Sequence, residues 1–543
     1  MTPLSTRDIM PLDDTPSPEW HSGICISDRS MKDPTIADID ARRQAVGQMV
    51  APTAAYADSD MFKLQCSRAS NKPAARRWDN HLTAESLARA PGILKVAARF
   101  LKRPGIISLA GGLPTPDYFG FRSISANVPT SSQSSLFEAE STITMGIHDI
   151  ASENAAFDLS VALNYGQAAG SAQMIRWITE HVKLVHNPPY ADWDTCLTTG
   201  STDGLYKALR MLCDKNRGDS WMTEEYSYAT ALETAIPLGV RTVGIKMDAE
   251  GLVPEAMDEI LTNWDAAERG ARKPHVLYTV PTGQNPTGST QSASRRRAIY
   301  DICQKHDVYI IEDDPYYFLQ LRSRTSSGQP PLKLSVGEFL ASLPTSFLSI
   351  DTNGRVLRLD SFSKILAPGT RMGWVTASEQ MIERFIRHSE TASQGPSGFS
   401  QAIVYKLVDE KWGHTGFLNW LQLLQAEYAD RRDVMISAFD RFLPKLIVSW
   451  DVPSAGMFCW LKIKHHCHPN SKIYSPLDIE EEIFAACLKR GVLLAKGSWF
   501  RAEPDLPLQD VFFRLTFAAA SAESIEVAVR AFGTALRTIF GLV

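Results

Sequence analysis

The chain lacks an excess of positive charge, a paired cysteine framework and any apolar run long enough to cross a bilayer. Each absence removes a class of function. With 61 acidic residues against 56 basic, a net charge of −5 leaves no electrostatic footprint for nucleic acid or an anionic membrane surface. The 8 cysteines are scattered without a C-x-x-C spacing, as expected of reduced thiols rather than a disulfide scaffold. The opening residues carry acids and prolines in place of an apolar leader, and Gly541-Leu542-Val543 is no peroxisomal signal. No internal repeat is evident. A cytoplasmic enzyme is the expectation, and 543 residues suffice for two or three domains with sizeable cores.

Residues 1–80, rich in Ser, Pro, Asp and Arg, read as a partly disordered extension with one amphipathic patch near Ile36 to Val50. Residues 81–125 hold a basic amphipathic helix over Ile93 to Leu101 and the glycine pair Gly111-Gly112, and are expected to join a small domain. Residues 126–157 read as the body of an inserted surface loop that begins near 121. From 158 to 415 short apolar runs such as Val276-Leu277-Tyr278-Thr279-Val280 and Val308-Tyr309-Ile310-Ile311 alternate with helical patterns. They predict an α/β large domain with a doubly wound, mostly parallel sheet. Residues 416–543 read as a long linking helix followed by a smaller α+β domain.

The chemistry concentrates where strands end. Lys364 closes the run Leu359-Asp360-Ser361-Phe362-Ser363-Lys364, and Arg371 follows seven residues on. A lysine amine forms a Schiff base with an aldehyde, while Ser361, Ser363 and a guanidinium hold a phosphate dianion beside it. Ser201 and Thr202 open a helix after Gly200, a natural anion site, although an ordinary capped helix explains them as well. Asp314 would sit against a protonated pyridine nitrogen; alone it is more simply a turn residue before Pro315. Asn285, in Pro281-Thr282-Gly283-Gln284-Asn285-Pro286, and Tyr317 would donate to a phenolate oxygen. Tyr228 would stack on the ring, unless it is plain core. Arg514, a lone cation in an apolar strand, would grip a substrate carboxylate or else a structural acid. Taken in order, these parts describe a socket for pyridoxal 5'-phosphate. The tract His465-His466-Cys467-His468 lacks a second spaced ligand pair, so no metal is expected.

The strings ISLAGGLPTPDYF, ALNYGQAAG, NPTG, IIEDDPYYFLQL, RLDSFSKILAPGTRMGW and LLAKGSWF resemble the fold-type I pyridoxal-phosphate enzymes of the class I/II aminotransferases. Within them the chain is similar to fungal aromatic amino acid aminotransferases and to kynurenine/α-aminoadipate aminotransferases over roughly residues 60 to 543. The resemblance implies that Lys364 carries the cofactor, Asp314 faces the ring nitrogen, and Asn285 and Tyr317 contact its phenolate. It implies a phosphate cup of Ser201, Ser361, Ser363 and Arg371, joined by Tyr165 from the second subunit of a homodimer. Tyr228 would stack on the ring, Arg514 would take the substrate carboxylate and Gly112 would line the pocket. Relatives commonly carry Gln after the serine of the Gly-Ser turn, where Thr202 and Asp203 stand here.

The implied reaction is ping-pong transfer of an amino group between an aromatic L-amino acid (Trp, Tyr, Phe or kynurenine) and 2-oxoglutarate or phenylpyruvate. Tyr118, Phe119 and Trp499 would suit an aromatic side chain, whereas Lys95 would favour α-aminoadipate or glutamate. A C-S lyase on the same socket is the rival chemistry. An aminotransferase-like regulator would need a DNA-binding module, and residues 1–80 show none.

Overall fold

A computed structural model describes residues 34–93, 109, 112–130, 140–322 and 333–542. Along the chain, β1 (Ser123–Pro129) and β2 (Glu140–Gly146) form a hairpin. The main sheet comprises β3 (Trp193–Thr198), β4 (Ser220–Glu224), β5 (Arg241–Ile245), β8 (Val276–Thr279), β9 (Tyr309–Asp313), β10 (Val356–Ser361) and β11 (Gly373–Ser378). Between them β6 (Met247–Asp248) and β7 (Gly251–Leu252) make a short ribbon. The sheet order is β3-β11-β10-β9-β8-β4-β5, and only β11 runs against its neighbours. Every residue of β8, β9 and β10 is buried, which is why the sequence reads there as unbroken apolar runs rather than alternation.

Side-chain alternation along β9 and β10 assigns each residue a face. In parallel register Arg358 pairs with Glu312 and Leu359 with Asp313. Leu359, Ser361 and Asp313 therefore share the face packed by helix Ser201–Leu212, whose Gly204 has room for no Cβ beside Leu359. Glu312, Asp314, Arg358 and Asp360 share the other.

The small domain is an antiparallel sheet of β12 (Val448–Trp450), β13 (Phe458–Ile463), β15 (Val511–Thr516) and β14 (Ala495–Lys496), in that order. Helices Pro476–Leu488 and Ala522–Phe540 complete its core through Ile479, Ile483, Val529 and Phe532. The 30-residue helix Gly413–Phe442 joins the two units: Phe417, Leu418 and Leu421 belong to the large core, Met435, Ala438 and Phe439 to the small one. Gly283 (φ +52°) and Gly456 (φ +80°) meet at the junction, where a Cβ on Gly283 would lie 2.5 Å from Gly456 Cα. This contact seats the Asn285 loop on the small domain.

Three expectations differ from the structure. Residues 34–80 are built into the large domain rather than loosely attached. Thr35 and Asp38 form a reciprocal cap on helix Ile36–Val46, Arg43 reaches Glu180 and Asp409, and Trp78 is fully buried. Residues 84–93 likewise lie on the large domain: Arg384 donates to the carbonyls of Ser86 and Arg89, and Arg210 pairs with Glu85. The segment read as an inserted loop is a hairpin at both ends, because Ile143 and Met145 alternate inward while Ser125–Thr144 and Asn127–Thr142 bond across its outer face. Residues 1–33, 94–108, 110–111, 131–139, 323–332 and 543 lie outside the described residues, Lys95 and Gly111 among them. No described helix is long and apolar enough to cross a membrane.

Trp78 packs edge-on against Tyr309 at 5.1 Å and under the guanidinium of Arg355 at 5.2 Å, so the arm is part of the large core. Trp78→Ala should lower the free energy of urea unfolding by about 3–5 kcal/mol; a loss below about 1 kcal/mol would show the arm to be peripheral.

Candidate active site

A cavity of about 350 Å³ lies beyond the carboxyl ends of β4, β8, β9 and β10, walled on the far side by Phe458 and Arg514 of the small domain. It gathers Ser201, Thr202, Tyr228, Asn285, Ser361, Ser363, Lys364, Arg371 and Arg514, residues spread over more than 300 positions of sequence. A slightly larger hollow, about 410 Å³, lies under the N-terminal arm, where carboxylates such as Asp58, Asp194 and Glu379 outnumber Lys63, Arg68 and Arg387. It holds no counterpart of this set.

Lys364 is aimed by its neighbours. The hydroxyl of Ser361 accepts the Ser363 N–H at 3.1 Å and turns the chain into a single 3-10 turn. Phe362 is sunk among Trp177, Trp374 and Phe417, and Trp420 Nε1 holds the Ile365 carbonyl at 2.7 Å. With these two anchors inward, Lys364 is left half-buried and facing the cleft. Burial, then Arg371 and Arg514, lower the pKa of its amine, and no carboxylate is among the charges acting on it.

Next to it stands a ready anion site. Gly200, at φ +105°, precedes helix Ser201–Leu212 without a side-chain cap, which leaves the first-turn N–H groups open. Arg371, itself at φ +45°, donates Nη2 to the Thr199 carbonyl at 2.9 Å and Nη1 to that of Pro368 at 3.0 Å. A Cβ on residue 200 would come within 2.5 Å of that guanidinium, so glycine is required for the arginine to lie there. Asp203, an acid in the same turn, is neutralised by buried Lys207 at 2.7 Å and accepts the Thr199 N–H at 3.2 Å. The cup stays cationic.

The acid of the cleft is Asp313, not Asp314. Asp313 receives the Tyr278 hydroxyl on Oδ2 at 2.8 Å, while its buried Oδ1 has no hydrogen-bond partner. Burial pushes its carboxyl up to about 6. Asp314 points to the opposite face, 3.6 Å from Arg358 and 3.8 Å from Arg296, and accepts from Thr282. The same one-residue offset corrects the tyrosine. Tyr316 lines the cleft beside Asn285, whereas Tyr317 donates to the Pro344 carbonyl at 2.7 Å beneath Arg358. For the acids a strand's period of two is the cause, since adjacent residues at the end of β9 cannot both face the same side, whereas the two tyrosines are parted by the turn that follows. Ser361, which shares Asp313's face, is the signal that identifies the right acid from sequence. Tyr278 and Phe458, also in the lining, escaped notice because each sits inside an apolar strand string.

Arg514 projects from β15 between the rings of Phe458 (4.6 Å) and Phe500 (4.7 Å) and donates to Asn285 Oδ1 at 2.7 Å. No carboxylate pairs with it among the described residues, so the fork is free for an anionic ligand. Gly112 and Tyr165 do not line the cleft; both are exposed, Tyr165 at 60%. Tyr118 is exposed too, and Trp499 packs on Phe484 outside the cavity. Of the His tract, His468 is buried against Tyr474 and near Glu482, and no metal-holding group of three or more ligands occurs among the described residues.

A fold with a mixed seven-stranded sheet, a small antiparallel domain and a lysine-centred cationic cleft between them defines a transferase of known type. The family sequence model described as aminotransferase class I and II matches residues 135–532, and the chain belongs to that family. It is 44% identical over 468 residues to an aromatic amino acid aminotransferase of Schizosaccharomyces pombe, covering 85% of this chain and 98% of that one. It is 37% identical over 436 residues to an L-tyrosine:2-oxoglutarate aminotransferase of Serpula lacrymans, covering 78% and 83% respectively. The crystal structure of aminotransferase Aro8 from Candida albicans superposes with a TM-score of 0.80 at 41% identity, over 87% of this chain and 100% of that one.

On the far face, Arg358 holds Glu312 at 2.9 Å and Asp360 at 2.9 Å with no exposure to water, and Glu312 also accepts the N–H groups of Phe347 and Leu348. Burial already pushes Asp314 up to about 7 and raises Asp360. Arg358→Leu should cost about 3–5 kcal/mol, because three acids lose their counter-charge. Acids whose folded pKa is raised destabilise the fold above their unfolded pKa, so the deficit should widen from pH 5 to pH 8 in urea titrations. A deficit that narrows with rising pH contradicts this charge balance.

Proposed function

We propose that this aminotransferase uses pyridoxal 5'-phosphate to move an amino group from an aromatic L-amino acid to a 2-oxo acid such as 2-oxoglutarate, as a cytoplasmic homodimer. The observation that carries the cofactor is the meeting, in one cleft, of an amine without a carboxylate partner, an open helix N-terminus under Arg371, and a buried carboxylate oxygen that nothing satisfies. The donor set fits the group. Arg371, Ser201, Thr202, Ser361 and Ser363 would hold its phosphate, Asp313 its ring nitrogen, Asn285 and Tyr316 its phenolate oxygen, and Tyr228 its ring face. When bound, the cofactor supplies an aldehyde for exchange with the substrate amine and an electron-withdrawing ring.

The chain's own residues do the rest. Arg514 binds the substrate α-carboxylate with the guanidinium nitrogens not engaged by Asn285, fixing Cα over the site. Lys364 Nζ, with its pKa lowered by burial and by two arginines, would, once displaced by the substrate amine, take the Cα proton and deliver it to the former aldehyde carbon on the other side of the amine nitrogen. Phe458, Phe500 and Tyr228 give the cleft aromatic walls suited to an aromatic side chain, in keeping with the names of the S. pombe and S. lacrymans relatives. Cys196, Cys213, Cys303, Cys459, Cys467 and Cys487 are free thiols, as suits a reducing compartment. Tyr165 lies outside its own cleft with its ring in solvent, which supports a role on the partner's cofactor.

Lys364→Ala should remove visible absorbance and reduce turnover with tyrosine and 2-oxoglutarate by at least about a hundredfold; transamination at an unchanged rate refutes the reading. Mixing Lys364→Ala and Tyr165→Ala subunits should restore activity above that of either parent, since one site of each hybrid then has both groups. No recovery on mixing would place Tyr165 outside the shared site.

A further inference from the structure

We propose that Tyr278 is a positioning residue, whose buried hydroxyl clamps Oδ2 of Asp313 so that Oδ1 is the acceptor presented to the ring nitrogen of the cofactor. The inference rests on the cleft being the cofactor site and names a residue that contributes to it through another. Tyr278 is fully buried in β8 directly across from Ile311 of β9, two residues before Asp313 and on the same face. Its phenol donates at 2.8 Å to Oδ2, which leaves Oδ1 buried and outside any well-aligned hydrogen bond, with the Ser201 hydroxyl beside the carboxylate, while Asp313 itself lines the cleft. The ring is tilted against Trp221 at 5.4 Å, so the hydroxyl has one fixed direction.

A carboxylate with two equivalent oxygens free to rotate presents either, or takes up a proton, when buried. A hydroxyl donated to one oxygen removes both freedoms. It stabilises the ionised form and fixes the plane of the group. Burial raises the Asp313 carboxyl, the Tyr278 and Ser201 hydroxyls act against it, the charges that face it are Asp360 and Arg358, and Tyr316 feels Asp313 across the cleft. Burial first, and then the facing Asp313, Glu224 and Tyr228, keep the Tyr278 phenol protonated and therefore a donor. Glu224 is occupied with the Thr279 hydroxyl at 2.6 Å and the Val280 N–H at 3.2 Å, so it does not compete for the Tyr278 proton.

The test is Tyr278→Phe in the full-length enzyme, which keeps the ring and its packing, read by titrating the apoenzyme with pyridoxal phosphate from pH 5 to pH 8. The dissociation constant should rise roughly tenfold or more at pH 7.5, the usual size for a hydrogen bond to a charged group. Affinity that needs ionised Asp313 is lost as pH falls through its pKa. Without the phenol that pKa rises, so the loss should begin at a higher pH in the variant than in the native enzyme. In an Asp313→Asn background the same change should add nothing, whereas a general packing defect would add fully. An unchanged dissociation constant and pH profile for Tyr278→Phe, with Asp313→Asn impaired, overturns the proposal. Native affinity in Asp313→Asn would instead refute the assignment of the ring-nitrogen contact itself.

Discussion

Neighbouring residues of a strand face opposite sides of the sheet, and at the ends of β9 and β10 this alternation sorts the charges at the centre of the protein into two compartments. Behind the sheet, Glu312, Asp314 and Asp360 close around Arg358 and Arg296 with hardly any exposure to water. In front, Asp313 is held by the Tyr278 phenol with the Ser201 hydroxyl beside it and looks into a cleft of cations. The rear acids find their counter-charges within the protein, while the front cations do not.

That imbalance is what makes the cleft a site. Lys364, Arg371 and Arg514 converge without a carboxylate between them, and crowded cations, two of them partly buried, cost free energy unless a ligand supplies the counter-charge. A ligand with a dianionic phosphate and a substrate with an α-carboxylate supply both. Burial first, and then the same crowding, lowers the pKa of Lys364, so the cations suited to an anion also prepare the amine to carry a proton. The scaffold sets this geometry rigidly: Phe362 pinned under Trp374, the 30-residue helix shared by both cores, and the glycine contact that fixes the Asn285 loop to the small domain.

Much of this was legible in the chain. Unbroken apolar runs announced a buried parallel sheet, and the lysine, its serines, Arg371, Asn285 and Arg514 stood in strings whose order along the sequence matched their meeting in space. What failed was parity. In Glu312-Asp313-Asp314-Pro315-Tyr316-Tyr317, composition favours neither acid and neither tyrosine; the register with β10, where Leu359 pairs with Asp313, separates the acids, and the turn after β9 separates the tyrosines. Tyr278 was hidden for a related reason, since a hydroxyl inside an apolar strand looks like core until its partner is known. The N-terminal arm misled by composition: its polar residues are not solvated but spent on fixed partners, as Arg43 is on Glu180 and Asp409. Polar content signals disorder only when the charges lack somewhere to go.

The claim on which the account turns is that Lys364, unpaired among cations, is the point of covalent attachment for an aldehyde cofactor. Borohydride reduction of the purified holoenzyme, followed by peptide mass analysis, tests it directly. The account predicts a phosphopyridoxyl adduct on the peptide carrying Lys364; an adduct confined to another lysine, or none, would contradict it.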